Sequence, residues 1–339
     1  MRLLSALSLL PLLGACELFS QVADPQVAVV TSDGELRLYL GSDDSVETGW
    51  TREVEPSNRA SLSRAGETVL VGSGASLHQF AVADGQNVWP AITLPSDVLR
   101  VSRSGDDRAF VIGFNEVTGV DSLAGSVLWS RSLLDDLLGV SDNAIAANAD
   151  SLALGGTPNR LLDTESGIVL DEDDGSGGEV TGIEFLGGQL LVADSEGMRT
   201  LDAGDLTTIW TQSIAGGVDR FAVGSATILV SVLGEGLLLL DSSTGAVLAT
   251  TEAGEVFRDV AASEDGFFAA RSDGTLLALD ANLSEVWRIE ASADFGGLAV
   301  AGRNVYYAAG LELEALSADG GDYLWGREFG AGVVGLMPL

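Results

Sequence analysis

The sequence predicts an all-β chain folded as an eight-bladed β-propeller of four-stranded antiparallel blades. Three observations carry that expectation. Tryptophan marks a repeat of about 40 residues, four strand-length apolar runs fill each repeat, and one surplus run at the C-terminus matches one missing at the N-terminus. The propeller is expected over residues 26–339, preceded by a signal peptide over 1–15 and a lipidated N-terminus and tether over 16–25.

Met1 to Ala15 carries one Arg and an apolar run from Leu3 to Leu13, followed by Leu13-Gly-Ala-Cys16. This reads as a secretory signal ending in a lipobox, with small residues for the signal peptidase cleft and a thiol for a diacylglyceryl group. The apolar run is shorter than the roughly 20 residues that a membrane-spanning helix needs. Cys16 is the only cysteine, which suits an exported chain that spends its thiol on lipid.

The six tryptophans, Trp50, Trp89, Trp129, Trp210, Trp287 and Trp325, lie 39, 40, 81, 77 and 38 residues apart. Halfway along the two double gaps, Leu170 and Leu248 are expected to take the place of Trp, giving eight anchors spaced by 38 to 41 residues. The unit reads most clearly over Val256–Ser263, Phe267–Ser272, Thr275–Asp280 and Glu285–Glu290, with Asp273-Gly274 as a hairpin signal because Gly accepts positive φ. No mature segment shows helical periodicity over a helix length, and 43 glycines supply turns. Blade-sized sheets must stack on neighbours to bury both faces, and a closed ring leaves no long bare edge. Only three strand-like runs precede the second unit, whereas Gly332 to Met337 is left over after Trp325; pairing of this run with the N-terminal blade would close the ring.

Asp121, Asp163, Asp202, Asp241 and Asp280 recur seven or eight residues before the anchors, and Gly85, Gly125, Gly167 and Gly245 lie three or four before them. Asp can cap the turn amides, Gly can turn the chain, and the large apolar anchor can fill the gap between blades. The pattern resembles the pyrroloquinoline-quinone-type propeller repeat over about residues 26–339. With the lipobox, it is similar to the BamB-type lipoproteins of outer-membrane β-barrel assembly. That resemblance implies a non-catalytic, lipid-anchored scaffold facing the periplasm, with a protein partner such as a barrel insertase. Glu17 after the lipid-bearing Cys16 favours the outer membrane by the same resemblance. A surface or periplasmic ligand-binding or sensory propeller is the alternative, and a degenerate quinone-dependent or carbohydrate-active enzyme is a third reading.

With 17 basic and 50 acidic residues the net charge is 17 − 50 = −33, and every basic side chain is Arg. Nucleic acid would be repelled, and no basic stripe interleaved with aromatics offsets this. One His, His78, and no free thiol after lipidation leave little for a nucleophilic triad or a zinc site. The quinoprotein resemblance would require a cofactor-facing Lys and vicinal cysteines, and both are missing from the sequence. Neither enzymatic activity nor a cofactor is expected.

Three sets of residues stand out as candidates. Arg59, Arg100, Arg220 and Arg258 follow their anchors by 9, 11, 10 and 10 residues, at the starts of the innermost strands. There they would form a basic collar for a carboxylate-rich partner loop, or pair with acids of adjacent blades. Leu137 and Leu138, in the long connection Ser130–Asn143, would dock a partner or cap a blade edge. Asp171, Asp173 and Asp174 form an acidic run that would bind calcium or simply be solvated, although their spacing matches no defined calcium loop.

Overall fold

The computed structural model describes residues 24–42, 45–105, 107–134, 140–173, 178–251, 254–290 and 295–339. Among them, strands form eight four-stranded antiparallel sheets. Blade 1 spans Asp24–Glu53 and is completed by Val333–Pro338; blades 2 to 8 span Ala60–Thr93, Val98–Ser132, Val140–Asp173, Val180–Ser213, Val218–Thr250, Phe257–Glu290 and Phe295–Glu328. Inside each blade the strands follow chain order from the inner to the outer edge. Blade 1 departs from this because its innermost strand is the C-terminal one. Val27 to Thr31 pair with Pro338 to Val333, so the ring closes as the surplus run predicts.

Among the described residues, the buried apolar side chains fall into eight clusters, each drawn mainly from two adjacent blades. Blades 1 and 2 share Leu38, Trp50, Val69 and Phe80, for example, while blades 8 and 1 share Tyr306, Trp325, Val29 and Tyr39. The core is therefore a ring of wedges between sheets, and the period-two apolar pattern of each strand serves two interfaces.

The tryptophans hold these wedges at their outer ends, and each acts on the following blade. Trp50, Trp89, Trp129, Trp210 and Trp287 donate their indole N–H to the carbonyls of Val82, Ser122, Thr164, Ser242 and Ala318. The same five rings lie on Gly85, Gly125, Gly167, Gly245 and Gly321, where an added Cβ would sit 2.3–2.8 Å from an indole atom. Those glycines have φ between 65° and 72° and donate back to the carbonyl four residues earlier. Aspartates start three of these five turns, and Asp121, Asp163 and Asp241 each accept two backbone amides. Aspartate, glycine and tryptophan thus form one latch, with the tryptophan supplied by the blade before.

Leu170 and Leu248 do not serve as anchors. A one-residue β-bulge precedes the anchor in each of these outer strands, so Leu161 pairs with Asp171 and Leu162 with Val169, and Leu239 pairs with Ala249 and Leu240 with Val247. The skipped residues, Leu170 and Leu248, turn outward and are 59% and 55% exposed. The register positions of Trp belong to Asp171 and Ala249. Opposite them, in blades 5 and 7, the latch glycine is replaced by Leu206 and Leu283, non-glycine residues at φ 52° and 60° and both buried. Where the preceding blade offers no indole, the turn itself inserts a leucine into the gap.

Candidate functional site

The innermost strands line the channel, and a recurrent bulge sets which side chains enter it. Pairing with the second strand slips by one residue between Val98 and Arg100, Val180 and Gly182, Val218 and Arg220, Phe257 and Asp259, and Phe295 and Gly297. The same slip occurs in blade 1, where Val30 and Thr31 pair with Gly335 and Val333. The residue after the bulge is therefore equivalent around the ring: Gly335, Arg100, Gly182, Arg220, Asp259 and Gly297. Three of the six are glycine because the next blade packs against them; Cβ atoms at Gly182, Gly297 and Gly335 would meet Phe221, Leu336 and Leu62. The other three, Arg100, Arg220 and Asp259, are charged.

Arg100 of blade 3, Glu184 of blade 5, Arg220 of blade 6 and Asp259 of blade 7 interact through space although they come from four sheets. Such convergence is available only across the central channel. Arg100 and Glu184 remain reachable by water while protein surrounds them, the geometry of a channel wall. Enclosure lowers the Arg100 guanidinium pKa, repulsion from Arg220 adds to this, and Glu184 and Asp259 oppose it. Burial likewise raises the Glu184 carboxyl against the pull of Arg100. Asp259 is pushed up to about 6 by burial, against amide hydrogen bonds from Val260 and Leu298 and the two arginines.

Arg100 and Arg220 thus share the channel, whereas the other two collar candidates stand elsewhere. Arg258 occupies the bulge itself, one residue out of register, and Arg59 precedes the inner strand of blade 2; both side chains are exposed. For Arg258 the even spacing failed because its anchor was misplaced. Counting from Ala249 instead of Leu248 puts Asp259 ten residues on, as Arg220 follows Trp210 by ten. Asp259 carries its own signal once that bulge is known. Glu184 carries none, since its partners lie on other blades.

The acidic run is tied into the blade interface. The Asp173 carboxylate accepts Arg199 of blade 5 at 2.7 Å and Asn159 at 3.0 Å, and Glu172 accepts Arg160 at 2.8 Å. Both Asp173 bonds fall on the same oxygen, Oδ2, and Asp171 accepts the amide of Glu172. Asp174 lies outside the described residues, as do Leu137, Leu138 and Cys16. Among the described residues, no group of three or more His, Cys, Asp or Glu is placed to hold a metal ion. His78 stacks on Phe80 with ring centroids 5.7 Å apart.

One face of the ring combines these charges with apolar tips. The turns between second and third strands hydrogen-bond the segments entering inner strands, as in Ser32 to Gly332, Ser195 to Glu179 and Ser272 to Val256, so both lie on this face. Phe114 and Leu233, at such turns in blades 3 and 6, are 60% and 63% exposed. Leu311 at the equivalent turn of blade 8 and Leu134 in the connection out of blade 3 are exposed as well.

The family described as outer membrane protein assembly factor BamB matches residues 194–334. No match was found among curated proteins. Among solved structures, BamB from Moraxella catarrhalis superposes with a TM-score of 0.68 at 18% identity, covering 88% of this chain and 91% of that one. Apo AztD from Citrobacter koseri gives 0.73 at 11% identity, covering 94% and 98%. The dihydro-heme d1 dehydrogenase NirN in complex with DHE gives 0.75 at 12% identity, covering 93% and 75%. At these identities the likeness is one of fold, and an enzyme stands among the neighbours, so the fold does not decide catalysis. The latch of aspartate, glycine and tryptophan, the closed eightfold ring and the family match together make this chain a propeller of the PQQ-like repeat type, similar to BamB.

Proposed function

We propose that the protein is a non-catalytic, lipid-anchored propeller scaffold with a BamB-like role in outer-membrane β-barrel assembly. The observation that carries this reading is the face on which Phe114, Leu134, Leu233 and Leu311 project around a charged channel mouth. Exposed apolar tips on rigid turns are suited to burial against a partner, and surrounding charges select and orient it. The family match over residues 194–334 supports the choice of partner class, and the lipobox before Cys16 supports attachment to the outer membrane facing the periplasm. Two acyl chains or more on Cys16 would hold the ring stably beside a membrane-embedded partner.

The test is affinity purification from solubilised membranes of wild-type protein, of a Phe114→Ser/Leu233→Ser variant and of Cys16→Ser. Wild type is expected to recover the barrel insertase, the double variant to lose it with unchanged thermal unfolding, and Cys16→Ser to leave the membrane fraction. Undiminished recovery with the double variant would refute the docking face, and absence of the insertase from the wild-type sample would refute the assembly role. A periplasmic ligand-binding propeller is the second reading, favoured by one observation: Arg100 and Glu184 face each other's charge in the channel without direct contact.

A further inference from the structure

Two cations and two anions from four blades share the channel, yet they do not neutralise one another by contact. The Arg100 side chain forms no hydrogen bond or ion pair with any described residue, and neither does the Glu184 side chain. Arg220 turns to its own neighbour, its guanidinium donating to the Asp219 carbonyl at 2.8 Å and lying 3.6 Å from the Asp219 carboxylate. Asp259 is capped by the Val260 amide at 3.0 Å. Arg100, Arg220 and Asp259 hold the same register position on the inner strands of blades 3, 6 and 7, and Glu184 follows that position by two residues in blade 5, so all four side chains belong to the wall of one channel.

A guanidinium and a carboxylate that face the same channel, both open to water and neither paired with a described side chain, are free to take a ligand without first breaking an ion pair. A simple anion would satisfy Arg100 and be repelled by Glu184 and Asp259; a simple cation would meet the reverse. A molecule carrying both charges satisfies both ends. We propose that the central channel binds a small zwitterion of the amino-acid class, its carboxylate held by Arg100 with Arg220 behind it and its ammonium by Glu184 with Asp259 alongside. Guanidinium offers a planar donor fork for the carboxylate, and a carboxylate accepts from the ammonium. This site is separate from the apolar tips, so it can stand or fall independently of the scaffold reading.

The measurement uses protein labelled with ¹⁵N-arginine, which reports every basic side chain because the chain contains no lysine. Glycine, β-alanine and γ-aminobutyrate are titrated in turn, with acetate and methylammonium as single-charge controls. At least one amino acid is expected to shift the Arg100 side-chain N–H resonance at concentrations at least tenfold below those at which either control does. Arg100→Ala and Glu184→Gln are each expected to weaken its binding at least tenfold, read calorimetrically, with folding checked by the dispersion of the remaining arginine signals. Glu184→Gln keeps the shape of the site, so the proposal remains testable if Arg100→Ala fails to fold. Equal response to acetate would reduce the channel to an anion site, and no response across the series, or full affinity in Glu184→Gln, would overturn the proposal.

Discussion

At the scale of single residues, the turn glycines separate two reasons for being glycine. Gly125 has φ 65° and Gly187 has φ 58°, so alanine at either would enter the left-handed region at a cost of about 1 kcal/mol. Their surroundings differ. A Cβ on Gly187 would meet nothing within 4 Å, whereas one on Gly125 would lie 2.3 Å from Trp89 Cγ. Trp89 is buried and spends its N–H on Ser122 and Gln79, so it cannot step aside without losing packing and hydrogen bonds together. Gly187→Ala is therefore expected to cost about 1 kcal/mol and Gly125→Ala about 3 kcal/mol or more, nearer to the loss of a buried tryptophan. Urea unfolding with unchanged m-values measures both; equal costs would mean that the indole contact contributes nothing beyond the backbone.

At the scale of the blade, the two latch forms are interchangeable solutions to one packing problem. Trp on the outer strand pairs with Gly in the next turn, and Asp171 or Ala249 pairs with a buried leucine there, Leu206 or Leu283. Leu206→Gly alone relieves a left-handed leucine but leaves a leucine-sized void, a net cost of about 1 to 3 kcal/mol. Asp171→Trp alone drives an indole against Leu206. Together they recreate the arrangement of Trp129 on Gly167, so the double variant is expected to be more stable than the sum of the singles by at least about 1 kcal/mol. A double-mutant cycle in urea gives that coupling directly, and additivity would show that the two positions do not meet.

Local features of the chain were legible in the sequence, whereas features set by bulges or by ring closure were not. Six tryptophans and the surplus C-terminal run are local features, and they suffice for repeat length, blade number and closure. Leu170 and Leu248 misled because they occupy the bulge: one skipped residue turns a side chain to the opposite face while leaving the spacing within the expected range. Arg258 misled for the same reason, standing in the bulge beside the channel-facing Asp259. Glu184 was hidden for a different reason, since its role depends on blades that meet only when the ring closes.

At the scale of the whole molecule, closure gives Asp259 a titration that no isolated blade would have. Its carboxylate feels Arg220 on the inner strand of blade 6 and Arg100 across the channel, and it accepts backbone amides of Val260 and of Leu298 in blade 8. Burial outweighs both arginines and lifts it to about 6 from an ordinary 3.8. A carboxyl raised on folding takes up its proton more readily in the folded state, so it adds stability that is fully present below about pH 4 and is lost as pH rises through about 6. A shift of about two units corresponds to at most about 3 kcal/mol. The turn aspartates act in the other direction, because hydroxyl and amide hydrogen bonds hold Asp163 and Asp241 below the usual carboxylate range, and their contribution disappears on acidification. Total stability therefore mixes opposing trends, and the informative quantity is the difference between wild type and Asp259→Asn at each pH. The Asn variant is expected to gain on wild type as pH rises from 4 to 7 and to keep a constant lead above that, because it never carries the buried charge. Chemical unfolding of both proteins across this range measures the lead. A difference independent of pH would mean that Asp259 is solvated as in an open array, and the closed channel would no longer account for its chemistry.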